Sequence, residues 1–141
     1  MFYAAESRES LRASWRAAWQ RHLQKLPLEP LQAQIADVIA AHPEYHAFVT
    51  STQSLQQDFT PEGGRENPFL HMGLHLALRE QIGTDRPRGI QAEYQRLCLR
   101  LQDAHDVQHR MIEVLATTLW DAQRAGRAPD EQQYLERLRK L

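Results

Sequence analysis

A chain of 141 residues with a formal net charge of −1 can bury one hydrophobic core and lacks the basic excess of a general nucleic-acid-binding protein. Its composition, 42% hydrophobic and 25% charged, is that of an ordinary folded domain and excludes a largely disordered chain. We therefore expect a single domain over residues 1–141, without nucleic acid as a partner.

The beginning of the chain predicts two successive helices. Apolar residues at three- and four-residue spacing predict a first helix from Ser7 or Ser10 to about Lys25. Pro27 ends this pattern, and Pro30 is well placed as an early residue of the second helix.

The second helix is predicted to break at His42. This residue precedes Pro43, which disfavours a helical backbone at the residue before it. A short helix through Phe48 is expected next, followed by a loop over residues 53 to about 66.

The remaining helices have clear start signals. Asn67 followed by Pro68 predicts a helix to about residue 82, with Gly83 as its C-cap. After a short connection, apolar periodicity predicts one long helix near residues 89–125. A last helix is predicted from residues 128–131 onward, since they combine a proline with acidic residues.

These patterns predict an all-α fold, a helical bundle of about four to six helices. No segment alternates as a β-strand does, and no apolar run approaches the ~20 residues that span a membrane, so no membrane partner is expected. The first residues lack the features of a secretion signal, and the single Cys98 permits no internal disulfide. We therefore expect a cytoplasmic protein.

Histidine spacing is the most informative feature of the sequence. Six of the seven histidines form pairs spaced by four residues. Chance placement would give about 0.3 such pairs. Because residues four apart share one face of a helix, both imidazoles of a pair can point at one ion. The pairs are His42 and His46, His71 and His75, and His105 and His109.

The surroundings of the pairs suggest which histidines lie in the interior. The helix over 68–82 is apolar almost all round and is expected to be buried, while His105 and His109 lie on or beside the apolar stripe of the predicted long helix. The leading interpretation is a metal site with His71, His75, His105 and His109 as ligands, Glu113 as an added or bridging carboxylate, and His42 and His46 as outer candidates.

The register of the helices complicates this interpretation. The pair His71 and His75 and the pair on the predicted long helix lie at different heights above the connection that joins their two helices. The difference in height is about 10 Å. A connection of five or six residues can supply that offset, at up to about 3.3 Å per residue. The sequence therefore allows a shared four-histidine site without demanding one.

An imidazole-rich site suits iron, zinc or copper, and the spacing does not choose among them. If all six paired histidines joined Glu113, a dinuclear centre would follow. That ligand set resembles, in ligand type only, the hemerythrins, which are four-helix bundles holding two irons. Hemerythrins pair some histidines with carboxylates in an HxxxE pattern, whereas this chain has HxxxH. No phosphate-binding loop or GxGxxG is present, so no nucleotide cofactor is expected.

Metal-free alternatives remain open. Buried histidines can bond to one another, to backbone or to carboxylates such as Asp103 and Glu80. The chain would then be a helical interaction module for a protein partner or a second copy, with an exposed apolar patch around Trp15, Trp19 or Trp120. A further hypothesis is a metal-independent enzyme with a histidine base at His105, beside Glu113 or Asp106. The sequence names no catalytic residue and no substrate.

One string of the sequence resembles a known family. NPFLHMGLH at residues 67–75, with DRP at 85–87 and PDE at 129–131, resembles a family of short bacterial proteins classed as a domain of unknown function. The resemblance covers nearly the whole chain. It implies a bacterial, cytoplasmic, single-domain protein, and it assigns no activity, cofactor or residue role.

Overall fold

The computed structural model describes residues 8–59 and 67–141, which contain seven α-helices and no β-strand. The all-α prediction is confirmed. The helices are α1 (Arg8–Leu23), α2 (Pro30–Ala40), α3 (His46–Thr50), α4 (Pro68–Thr84), α5 (Ile90–Leu101), α6 (Ala104–Ala125) and α7 (Glu131–Arg139), with 3-10 helices at Pro43–Tyr45 and Gln53–Leu55.

The chain groups into two compact units, Met1–Met72 and Gly73–Leu141, and the division falls inside α4. The prediction of a single domain over residues 1–141 stays a prediction. Ser7 and the second half of the predicted loop, residues 60–66, lie outside the described residues. None of the described helices is long and apolar enough to cross a lipid bilayer.

In the first unit, α1 packs against α2 and α3. The break predicted at His42 is confirmed, because its backbone has φ −126 and ψ 67. Arg12 is buried and donates to the backbone carbonyls of Ser54 at 3.1 Å and Gln57 at 2.8 Å, so it fastens α1 to the segment after α3. The buried apolar residues of this unit include Ala18, Trp19, Ile35, Ala36, Val38, Ile39 and Val49.

Helix α4 begins where the sequence predicts. The Asn67 side-chain oxygen accepts from the backbone N–H groups of Phe69 at 3.0 Å and Leu70 at 3.2 Å, as an N-cap does. The expectation that this helix is buried all round is wrong. Leu70 is 61% exposed, whereas His75 and Leu78 are fully buried, so α4 has one inward face.

The predicted end of α4 at Gly83 is also wrong. The helix continues through Gly83 to Thr84, and Asp85 takes the left-handed backbone conformation with φ 52. An aspartate tolerates this conformation better than most residues, because its short side chain bonds locally. Here its carboxylate accepts from the backbone N–H groups of Gly89 at 3.1 Å and Gln91 at 3.0 Å and so caps the start of α5.

The single long helix predicted near residues 89–125 is wrong, because the structure breaks it into α5 and α6. Gln102 is left-handed, with φ 60, and Asp103 is extended. The Asp103 carboxylate accepts from the backbone N–H of Asp106 at 3.1 Å and starts α6 afresh. His105 therefore lies in the first turn of a new helix rather than far along an old one, and the register calculated for one continuous helix does not apply.

The core of the second unit comes from α4, α5, α6 and α7 together. Residues of both α4 and α6 belong to this core. It therefore places α4, which carries His75, beside α6, which carries His105 and His109. Its buried members are Leu78, Ile90, Leu97, Val107, Met111, Ile112, Leu115, Tyr134, Leu135 and Leu138.

Candidate metal centre

Three imidazoles converge in the second unit, and we call His75, His105 and His109 the histidine triad. The ring centroid of His75 lies 5.4 Å from that of His105 and 4.8 Å from that of His109. The rings of His105 and His109 are 4.2 Å apart. One ring nitrogen of each residue lies within 4.8 Å of the others, which is close enough for these histidines to hold a metal ion.

The helices explain this convergence. His105 and His109 are four residues apart in the first two turns of α6 and therefore share one face. His75 lies on the inward face of α4 and is fully buried, whereas the two histidines of α6 are half-buried. The site thus combines a fully enclosed imidazole with two that reach toward solvent.

A glutamine that the sequence analysis did not single out contacts the triad. The side-chain oxygen of Gln108 lies 3.2 Å from Nδ1 of His75 and accepts from Nε of Arg79 at 3.2 Å. Gln108 also hydrogen-bonds the hydroxyl of Tyr94, whose pKa is raised by burial and lowered in part by this bond. The one feature of the sequence that could have identified Gln108 is its position, since it is a polar residue between the two histidines of α6.

The structure places His42 and His71 in the first unit. His42 is fully buried, and its Nδ1 lies 2.7 Å from the backbone oxygen of Val38. A carbonyl only accepts, so Nδ1 of His42 carries a proton. The ring of His42 meets that of His71 edge-on at 5.2 Å and stacks on Tyr45 at 5.7 Å.

His46 is half-buried in the first unit. Its Nε2 donates to the backbone oxygen of Ile39 at 2.8 Å, and its ring lies 4.6 Å from that of Trp19. His22 stacks on the same tryptophan at 5.1 Å. Because a 3-10 helix separates His42 from His46, this pair does not share an α-helical turn.

Glu113 lies one turn beyond His109 on α6, and its side chain is exposed. Exposure is the ordinary environment of a solvated carboxylate. Its assignment as an added or bridging ligand stays a prediction.

Comparison with known proteins adds a family. A protein-family model described as "Domain of unknown function (DUF1841)" matches residues 7–140, which is nearly the whole chain. No curated protein and no solved structure matches the chain.

Proposed function

We propose that this chain, which belongs to the DUF1841 family of unknown function, binds one transition-metal ion through His75, His105 and His109. The NPFLHMGLH string in the sequence indicated the same family. The observation that carries the proposal is the convergence of their ring nitrogens within 4.8 Å. Imidazole nitrogens are common ligands of transition-metal ions, and three that converge can bind one ion together.

The spacing suits an ion after a small adjustment. Two nitrogens bound tetrahedrally at 2.0–2.1 Å from zinc lie about 3.4 Å apart. Because the triad nitrogens lie within 4.8 Å of one another, each pair needs to close by at most about 1.4 Å. Rotations of the half-buried His105 and His109 rings can supply this movement without displacing a helix.

The ligand chemistry limits the choice of ion. Imidazole ligands suit zinc, copper, iron and nickel, whereas magnesium and calcium prefer oxygen. Three histidines leave one position of a tetrahedral zinc centre for water or a further ligand. The sequence-based predictions that other side chains also bind the metal stay predictions; they concern His42, His46, His71 and Glu113.

The surroundings of the triad favour one ion over two. Dinuclear centres in helical bundles are rich in carboxylates, since glutamate side chains from all four helices join two histidines in holding the two ions. The carboxylate that the sequence proposes as a bridging ligand, Glu113, is exposed, and Nε2 of His46 is engaged by a backbone carbonyl. A mononuclear centre needs no ligand from the protein beyond the three imidazoles of the triad.

Metal-dependent stability tests the proposal. At a free-ion concentration of about 100 times Kd, binding to the native state raises the free energy of unfolding by about 2.7 kcal/mol. We expect Zn²⁺ to raise Tm accordingly and a chelator to reverse the change, measured by thermal unfolding. The exposed His22 serves as a control, since His22→Ala should respond as the parent does. If neither Zn²⁺, Cu²⁺, Ni²⁺ nor Fe²⁺ changes Tm, the proposal fails.

The metal-free interaction module is the second candidate. Of its three indicator residues, Trp19 is buried at 5% exposure, whereas Trp120 is 58% exposed beside Leu119, which is 41% exposed. This pair on α6 is an apolar surface of the kind that partners cover. Under this alternative the histidines bond to one another, and the stability of the chain does not respond to metal.

A further inference from the structure

Gln108 lies at a junction of three side chains in the second unit. It sits on α6 between His105 and His109, and its side-chain oxygen is 3.2 Å from both Nε of Arg79 and Nδ1 of His75. These contacts link a charged residue on α4 to the buried histidine one turn before it on the same helix.

Arg79 fixes which end of the glutamine amide faces it. A guanidinium has five N–H donors and no acceptor, so the amide atom in contact with Arg79 Nε has to be the oxygen. The usual ambiguity between the oxygen and nitrogen of a glutamine is therefore removed at this position.

The other end of the amide agrees with that orientation. With its oxygen toward Arg79, Gln108 directs its NH₂ group elsewhere, and Gln108 hydrogen-bonds the Tyr94 hydroxyl. Burial raises the pKa of that hydroxyl, so it stays neutral and can accept an N–H.

The fixed oxygen then selects the proton position on His75. An amide oxygen only accepts, so the neutral imidazole in contact with it carries its proton on Nδ1 and its lone pair on Nε2. A metal-binding histidine needs this arrangement, with one nitrogen for the ion and an N–H donated to a neighbour.

We propose that Arg79 and Gln108 are positioning residues that hold His75 in the Nδ1–H tautomer, so that its Nε2 is the metal-binding atom. This inference rests on the proposed metal function for its purpose. The tautomer itself is a property of the metal-free protein, and it can be measured separately.

The test is ¹⁵N-detected NMR of the imidazoles in the metal-free protein, at a pH where His75 is neutral, with Zn²⁺ titration of the same samples. The parent should show the Nδ1–H tautomer at His75. Arg79→Met keeps the apolar stem but removes the donor, so the amide can rotate. We expect a mixed tautomer and zinc affinity about 10–100-fold lower. Gln108→Glu, whose carboxylate only accepts, should keep the Nδ1–H tautomer at His75.

A matched control separates this effect from a general loss of charge or order. Arg110→Met removes an exposed arginine of α6 that pairs with Asp106 at 3.1 Å, outside the triad, and should leave the tautomer and the affinity unchanged. An Nε2–H tautomer in the parent, or an unchanged tautomer in Arg79→Met, overturns the inference. Parent protein with the Nδ1–H tautomer but no metal uptake overturns the proposed function alone.

Discussion

Replacing His105 and His109 together with alanine is expected to abolish tight metal binding while leaving the helices in place. Two of the three converging imidazoles are lost, and one remaining histidine cannot hold an ion tightly. Losing only an outer-shell partner costs about 10–100-fold in affinity, so losing two ligands should cost more than 100-fold. Isothermal titration with Zn²⁺ measures the change.

The two positions suit this experiment because the variant should fold. Both side chains are half-buried, and both lie in α6, where alanine is the best helix former. The cap of α6 is Asp103, which the substitutions leave intact. His75→Ala would also lower the stability of the protein, because it leaves a cavity at a fully buried position. Its effect on metal affinity would therefore be harder to interpret.

The single variants His105→Ala and His109→Ala test whether both histidines bind the same ion. Because the two histidines bind one ion in the proposal, their effects on affinity should not add, whereas independent surface sites would add. His22→Ala, which removes an exposed histidine of α1, should retain the affinity of the parent. A double variant that still binds one ion as tightly as the parent contradicts the assignment.

Leu97→Ala should strongly destabilise the protein, whereas Leu99→Ala should be nearly neutral. Leu97 is fully buried in the core shared by α4, α5, α6 and α7, while Leu99, two residues further, is 82% exposed. A buried leucine truncated to alanine costs about 2–5 kcal/mol, because apolar contacts are lost and a cavity remains. A surface substitution of this kind stays within about 0.5 kcal/mol.

Urea unfolding of both variants measures this difference, and equal midpoints would show that the core is placed wrongly. The same core matters for the site, because Leu78 of α4 and Met111 of α6 belong to it and lie on the two helices that carry the triad. We therefore expect Leu97→Ala to weaken metal binding only as far as it unfolds the protein.

Local chemistry made parts of the fold predictable. Asn67 before Pro68 is a start signal contained in adjacent residues, and the structure shows the cap that it predicts. The break between α5 and α6 was missed because apolar spacing runs through Gln102 and Asp103 without interruption. Periodicity reports which face is buried and does not report where a helix ends. The mismatch of about 10 Å between the histidine pairs arose because the calculation assumed one continuous helix where the structure has two.

The site was predictable in kind and less so in detail. Spacing by four predicts that the two members of a pair share a face, which holds for His105 and His109. It cannot tell which pairs meet, since that depends on how helices pack. His71, which shares a four-residue spacing with His75, lies against His42 and Tyr45. Gln108 has no motif and becomes visible only through its contacts with Arg79 and His75.

The most direct test of the metal proposal is elemental analysis of the purified, untagged protein beside the His105→Ala/His109→Ala variant. We expect close to one zinc, iron, copper or nickel ion per chain in the parent, either as purified or after reconstitution, and its loss in the variant. Parent protein that is empty and takes up none of these ions would contradict the proposed metal site and favour the interaction surface at Leu119 and Trp120.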